Sequence, residues 1–91
     1  PGSPAIGSHS GDYTLTANDR YVIGTAHVTF TLPTAAGITG REYIIIRHYA
    51  TDVVTVQGTG GDTINDQASI ILTANYSAIR VVSNGTNWMI V

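Results

Sequence analysis

The chain has 91 residues with no cysteine and no lysine. It is 43% apolar and only 11% charged, with a formal net charge of −2. The absence of cysteine excludes disulfide bonds and thiol chemistry, and the lack of clustered basic residues argues against nucleic acid as a partner. No apolar stretch approaches the roughly 20 residues of a membrane-spanning helix, so membrane insertion is not expected.

Hydrophobic residues recur with a period of two along most of the chain, and no segment has the 3.6-residue period of an amphipathic helix. The sequence predicts a linker or an expression scar over residues 1–11 and a single β domain over residues 12–91. The expected strands are rich in Val, Ile, Thr and Tyr, which suit a pleated surface. They are Asp12–Thr16, Arg20–Ile23, His27–Leu32, Glu42–His48, Val53–Gln57, Ser69–Thr73, Ala78–Ser83 and Trp88–Val91.

Turn-forming residues separate the expected strands. Among them, Asn84-Gly85 predicts a two-residue hairpin turn, which requires positive φ at both positions. The sequence therefore predicts an all-β fold of about eight short antiparallel strands, arranged as a small sandwich or a β-prism-like subunit.

Several of the expected strands are apolar on both faces. Tyr43–Ile46, Ile70–Leu72, Ile79–Val82 and Trp88–Val91 lack the alternation that is clear in His27–Leu32. Such runs are typical of sheets covered on both sides, and the sequence predicts no helix to cover them. A chain of this length buries only about 60–65% of its unfolded surface. We therefore expect a homo-oligomer, although a tight sandwich could also bury some of these positions.

The order of strand and turn residues resembles one known group of proteins. The segments that carry the resemblance are Thr29–Ala35, Gly40 with Tyr43–Arg47, Val53–Val56, Gly60–Asn65 and Ser83–Trp88. They resemble the C-terminal β-rich domains of bacteriophage tail fibres and tailspikes and of related virion surface proteins, from about Asp12 to Val91. The resemblance implies a homotrimer on the virion that caps a fibre, keeps its chains in register and, in some members, binds a host-surface glycan or protein. It carries over no binding residue.

Catalytic residues are not predicted. Ser8, His9 and Asp12 are close in sequence, but near neighbours cannot easily form the geometry of a catalytic triad. Asp62 and Asp66 could form the carboxylate pair of a glycosidase, but their positions favour turn formation. The sequence therefore predicts that the chain is not an enzyme.

No metal site or cofactor is predicted, because the three histidines lack a short chelating spacing. Trp88 lies within an apolar strand and is interpreted as core or interface. The candidate ligand-binding residues are Tyr49 and Tyr76, at strand–loop junctions where an aromatic ring could stack on a sugar. His48 and Asp52, which form a loop cluster with Tyr49, are further candidates.

The resemblance implies a virion fibre or spike tip module that caps and trimerises the fibre and, as in some members, binds a host-surface receptor such as a glycan. One alternative is a purely structural decoration or trimerisation domain of the virion. A glycan-degrading enzyme is the least favoured interpretation for a chain of this length. The number three comes from the resemblance, since the residues alone do not separate a trimer from a dimer.

Overall fold

The computed structural model describes residues 6–48, 53–74 and 76–91. Within these ranges the chain forms nine short strands and no helix, which confirms the predicted all-β class. No helix in the described ranges could therefore cross a membrane. The strands are β1 (Ile6–His9), β2 (Tyr13–Thr14), β3 (Tyr21–Gly24), β4 (Val28–Thr31), β5 (Glu42–Arg47), β6 (Val54–Gln57), β7 (Ser69–Leu72), β8 (Ala78–Ser83) and β9 (Trp88–Ile90).

These strands form two sheets. The five-stranded sheet has the order β1-β3-β5-β8-β9, and the four-stranded sheet has the order β2-β4-β6-β7. Strands β1 to β6 alternate between the two sheets. Each turn of the winding chain therefore adds one strand to each sheet. The chain then reverses: β7 pairs antiparallel with β6, β8 with β5, and β9 with β8.

The prediction of antiparallel strands is wrong for the first half of the chain. In the described residues, β1–β3, β3–β5, β2–β4 and β4–β6 are parallel pairs, so both sheets are mixed. Parallel strands need a crossover connection, and here a strand of the opposite sheet forms part of each crossover. The period-two pattern identifies strands but contains no information about their direction.

Strand β1 lies within the segment that was predicted as a linker. Ile6–His9 pairs along its whole length with Tyr21–Gly24. Its sequence, Ile-Gly-Ser-His, has low β propensity, so the strand depends on the backbone of β3 rather than on its own residues. The inward-facing His9 stacks on Tyr13, with the ring centroids 3.8 Å apart.

A single hydrophobic core lies between the sheets. Alternate residues of the strands point into it, together with side chains from the connecting segments. Trp88, which the sequence placed in the core or in an interface, is only 1% exposed and lies in the core. Its ring lies 5.6 Å from that of Tyr43, and its indole N–H donates to the Pro33 carbonyl at 3.2 Å. The fully buried side chains also include Val22, Phe30, Leu32, Ile45, Val54, Val56, Ile64 and Val81.

The β8–β9 connection differs from the predicted two-residue turn. Positive φ occurs at Gly85 but not at Asn84, and the Asn84 N–H donates to the Asn87 carbonyl at 3.0 Å. The side chain of Asn84 accepts from the N–H groups of Thr86 and Asn87. Asn84 therefore stabilises a four-residue loop through its side chain and needs no left-handed backbone.

Candidate functional site

The outer face of the five-stranded sheet is largely apolar. The strand register places Tyr21 beside Ile44 and Ile44 beside Arg80. A second row runs from Ile23 through Ile46 to Ala78, and a third from Glu42 through Val82 to Met89. We call this surface the assembly face. It consists of Tyr21, Ile23, Glu42, Ile44, Ile46, Ala78, Arg80, Val82 and Met89.

The outer face of the four-stranded sheet has the opposite character. One of its rows contains Thr14, Thr31, Gln57 and Ser69, and the next contains Thr29, Thr55 and Ile71. Ile71, on the edge strand β7, is a large and exposed apolar residue on this otherwise polar face. Hydroxyl and amide groups can satisfy their hydrogen bonds with water, so this surface is suited to contact with solvent.

The assembly face also carries charged side chains. Glu42 forms an ion pair with Arg20, and the Arg20 guanidinium lies 5.8 Å from the centre of the Tyr21 ring. Arg80 is exposed on the same face as Glu42. The face therefore carries charges of both signs among its apolar residues, with Arg80 directly beside Ile44.

Two of the four predicted ligand-binding residues are close together in the structure. The rings of His48 and Tyr76 meet edge to face, with centroids 5.6 Å apart. Tyr76 is 64% exposed, and its φ of 58° lies in the left-handed region. The His48 N–H donates to the Gly24 carbonyl at 3.0 Å, which fixes the backbone at the end of β5. Tyr49 and Asp52 lie outside the described residues.

The carboxylates considered for catalysis make backbone contacts. Asp12 accepts from the Thr29 N–H at 2.8 Å, and Asp62 accepts from the Ala35 N–H at 2.9 Å. Asp66 lies in a tight turn with a φ of 67°. Across the described ranges, no group of three or more His, Asp or Glu side chains is placed to hold a metal ion.

A concave region of about 340 Å³ lies where the β8–β9 loop meets the connection between β6 and β7. Its lining residues are Thr63, Asn65, Asp66, Asn84, Asn87, Trp88 and Met89. Sequence reasoning missed this pocket because it treated the two segments only as separate turns. They are joined by a parallel bridge between Ile64 and Trp88, a contact that no local pattern encodes.

Comparison of the chain with known protein families, with curated proteins and with solved structures finds no match. The residues and their geometry are therefore the basis for the functional argument.

Proposed function

We propose that this chain is a self-associating tip module of a virion fibre or spike, which works as a homotrimer and binds a host-surface glycan. The observation that supports self-association is the contrast between the two outer sheet faces. One presents isoleucine, valine, tyrosine and methionine, whereas the other presents mainly threonine. Apolar patches on soluble proteins mark interaction surfaces. On the assembly face half-buried isoleucine, valine and tyrosine side chains adjoin Met89, which is 46% exposed, whereas the other face presents a single exposed isoleucine among hydroxyl groups.

A second copy of the chain is the occupant that suits the assembly face best. The face carries both Glu42 and Arg80, so a rotated copy can place opposite charges near each other. The net charge of −2 per chain also causes little repulsion between copies. The placement on a virion and the number of three subunits are supported by the sequence resemblance to fibre and spike domains.

The solution mass tests this proposal. Light scattering behind a sizing column should give about three times the 9.6 kDa mass of the chain. A mass near that of a single chain at all concentrations would overturn the proposal of self-association. A dimer would retain the assembly face as an interface but would remove the support for a fibre tip.

A matched pair of variants then locates the interface. The double variant Ile44→Thr, Ile46→Thr gives the assembly face the chemistry of the opposite sheet, and threonine keeps the β-branched shape that strands favour. Full burial of an isoleucine contributes about 1.5–3 kcal/mol. Ile44 and Ile46 are already half-buried in the single chain, so each contributes part of that amount to the interface, and the double variant should shift the equilibrium towards monomers. Ile71→Thr makes the same substitution on the four-stranded sheet and should leave the mass unchanged. Circular dichroism checks that both variants keep their β structure.

Glycan binding is supported by the exposed aromatic corner at His48 and Tyr76. A tyrosine that is well exposed and held in a left-handed conformation presents its ring to solvent at an energetic cost. A glycan array probed with the labelled chain tests this part of the proposal. Absence of binding to the array and to whole cells would leave the purely structural module as the better interpretation.

A further inference from the structure

The asparagine pocket, defined by Thr63, Asn65, Asp66, Asn84, Asn87, Trp88 and Met89, has features of a ligand site that the sequence analysis did not assign. It lies at the end of β8, whereas Tyr76 precedes the start of that strand. Six residues of strand span about 20 Å, so the pocket and the His48–Tyr76 corner are separate surfaces.

Backbone hydrogen bonds fix the orientation of three side-chain amides in this pocket. Asn65 Oδ1 accepts from the Ile90 N–H at 2.9 Å. Asn87 Oδ1 accepts from the Thr63 N–H at 2.8 Å, and Asn84 Oδ1 accepts from the Asn87 N–H at 2.9 Å. Because each oxygen faces a backbone donor, the Nδ2 group of each amide is directed away from that contact and can donate to a ligand.

The backbone around the pocket is also fixed. Asn65 and Asp66 form a two-residue turn with φ values of 50° and 67°. Two hydrogen bonds between Ile64 and Gln67, of 2.8 and 2.9 Å, close this turn. The Asn65 N–H donates to the Trp88 carbonyl at 3.0 Å, which ties the turn to β9. The pocket therefore presents its polar groups without needing to reorganise, which favours binding.

The chemical groups of the pocket fit a neutral sugar. Three amides supply donors and the exposed carboxylate of Asp66 supplies an acceptor, while a sugar hydroxyl can both donate and accept. Asp66 disfavours an anion, and a single carboxylate is a poor calcium site because calcium takes six to eight oxygen ligands.

We propose that the asparagine pocket is a saccharide-binding site that recognises the hydroxyl groups of a neutral sugar. This inference rests on the glycan-binding part of the proposed function and adds a second sugar-binding surface, at the end of β8 that carries Asn84, to the His48–Tyr76 corner. The Trp88 ring is buried in the core, so recognition occurs through hydrogen bonds rather than through stacking on an indole.

Asparagine-to-aspartate variants provide a sharp test. Asn84→Asp and Asn87→Asp each keep an oxygen that accepts the same backbone N–H, but they remove the Nδ2 donor. Neutral oligosaccharides on an array serve as the probe, and the affinity of the best binder is then measured in solution. Each variant should weaken binding about tenfold or more with unchanged thermal unfolding. Ile71→Thr, on the outer face of the four-stranded sheet and outside both candidate sites, should retain binding.

The remaining outcomes separate this inference from the proposed function. Binding that is lost in Tyr76→Ala but kept in both aspartate variants would overturn the pocket assignment and leave the glycan-binding module intact. Absence of any bound oligosaccharide would overturn both, while light scattering reports independently on assembly. In nitrogen-labelled protein, the side-chain amide signals of Asn65, Asn84 and Asn87 should shift with the sugar. A shift with sodium sulfate instead would identify an anion site and overturn the proposal.

Discussion

The hydroxyl of Tyr13 donates a 2.7 Å hydrogen bond to Asp19 Oδ2. The same carboxylate oxygen accepts from the Thr16 N–H at 2.8 Å, so one side chain connects β2 to the corner that leads into β3. Hydrogen bonding to Asp19, followed by partial burial, raises the pKa of Tyr13. Burial alone would raise the pKa of Asp19, but the hydrogen bonds from Tyr13 and Thr16 outweigh it, and the pKa lies below its ordinary value.

Acid should therefore weaken the fold partly through Asp19. A carboxyl group whose pKa is lower in the folded chain than in the unfolded chain, where it is about 3.9, stabilises the fold above that pH. This contribution is lost as the pH falls through the folded pKa. Urea unfolding at a series of pH values should show a smaller free energy of unfolding for Asp19→Asn at neutral pH. The difference from the unsubstituted chain should shrink in acid.

Tyr13→Phe is the matched variant for this contact, because it removes only the hydroxyl donor. The carboxyl carbon signal of Asp19, followed by NMR, should then titrate at a higher pH than in the unsubstituted chain. An unchanged titration would show that the Thr16 contacts alone hold the pKa of Asp19 down, and that the tyrosine hydroxyl contributes little to this corner.

Gly24 should be intolerant of any side chain. It ends β3 facing the core, and a Cβ atom built at this position would lie 2.5 Å from Val54 Cγ2 and 3.0 Å from Val28 Cγ2. Both neighbours belong to buried residues of the opposite sheet, so Gly24→Ala should lower the free energy of unfolding by about 1–3 kcal/mol through overpacking. Gly11→Ala is the control, because its Cβ would meet no atom within 4 Å. Equal stability of the two variants would show that the sheets move apart easily.

Ser83 connects the end of β8 to the segment after β4. Its hydroxyl donates to the Ala35 carbonyl at 2.7 Å and accepts from the Gly85 N–H at 3.1 Å, and the residue is only 1% exposed. Ser83→Ala removes a partner from both groups in a buried environment and should cost about 1–3 kcal/mol in thermal or urea unfolding. Ser10→Ala, at an exposed bend, should change stability by less than about 0.5 kcal/mol. A similar small change for Ser83→Ala would mean that water replaces the hydroxyl.

The sequence was sufficient to predict strands but not their arrangement. The alternation in His27–Leu32 correctly identified an inward row, and Val28, Phe30 and Leu32 are all buried. The doubly apolar run Tyr43–Ile46 correctly indicated a strand with an apolar outer face. Direction was not predictable, because a parallel and an antiparallel strand place the same residues on the same face.

The features that could not be predicted from the sequence depend on contacts between residues that are distant along the chain. Strand β1 forms only because β3 presents a free backbone edge, so its weak propensity was misleading. The asparagine pocket joins residues about twenty positions apart through the bridge between Ile64 and Trp88. The corner at His48 and Tyr76 was more accessible to sequence reasoning, because aromatic residues at strand ends are a local signal.

The left-handed backbone conformation of Tyr76 should lower the stability of the fold. A left-handed φ costs a residue other than glycine or asparagine about 1–2 kcal/mol, and Tyr76 has a φ of 58°. Tyr76→Asn and Tyr76→Ala both remove the ring that contacts His48, but asparagine tolerates this backbone conformation better than alanine does. The asparagine variant should therefore be the more stable of the two, by up to about 1 kcal/mol in urea unfolding. If the two variants are equally stable, the backbone relaxes without cost at this corner, and the conformation of Tyr76 no longer supports a role for its ring in binding.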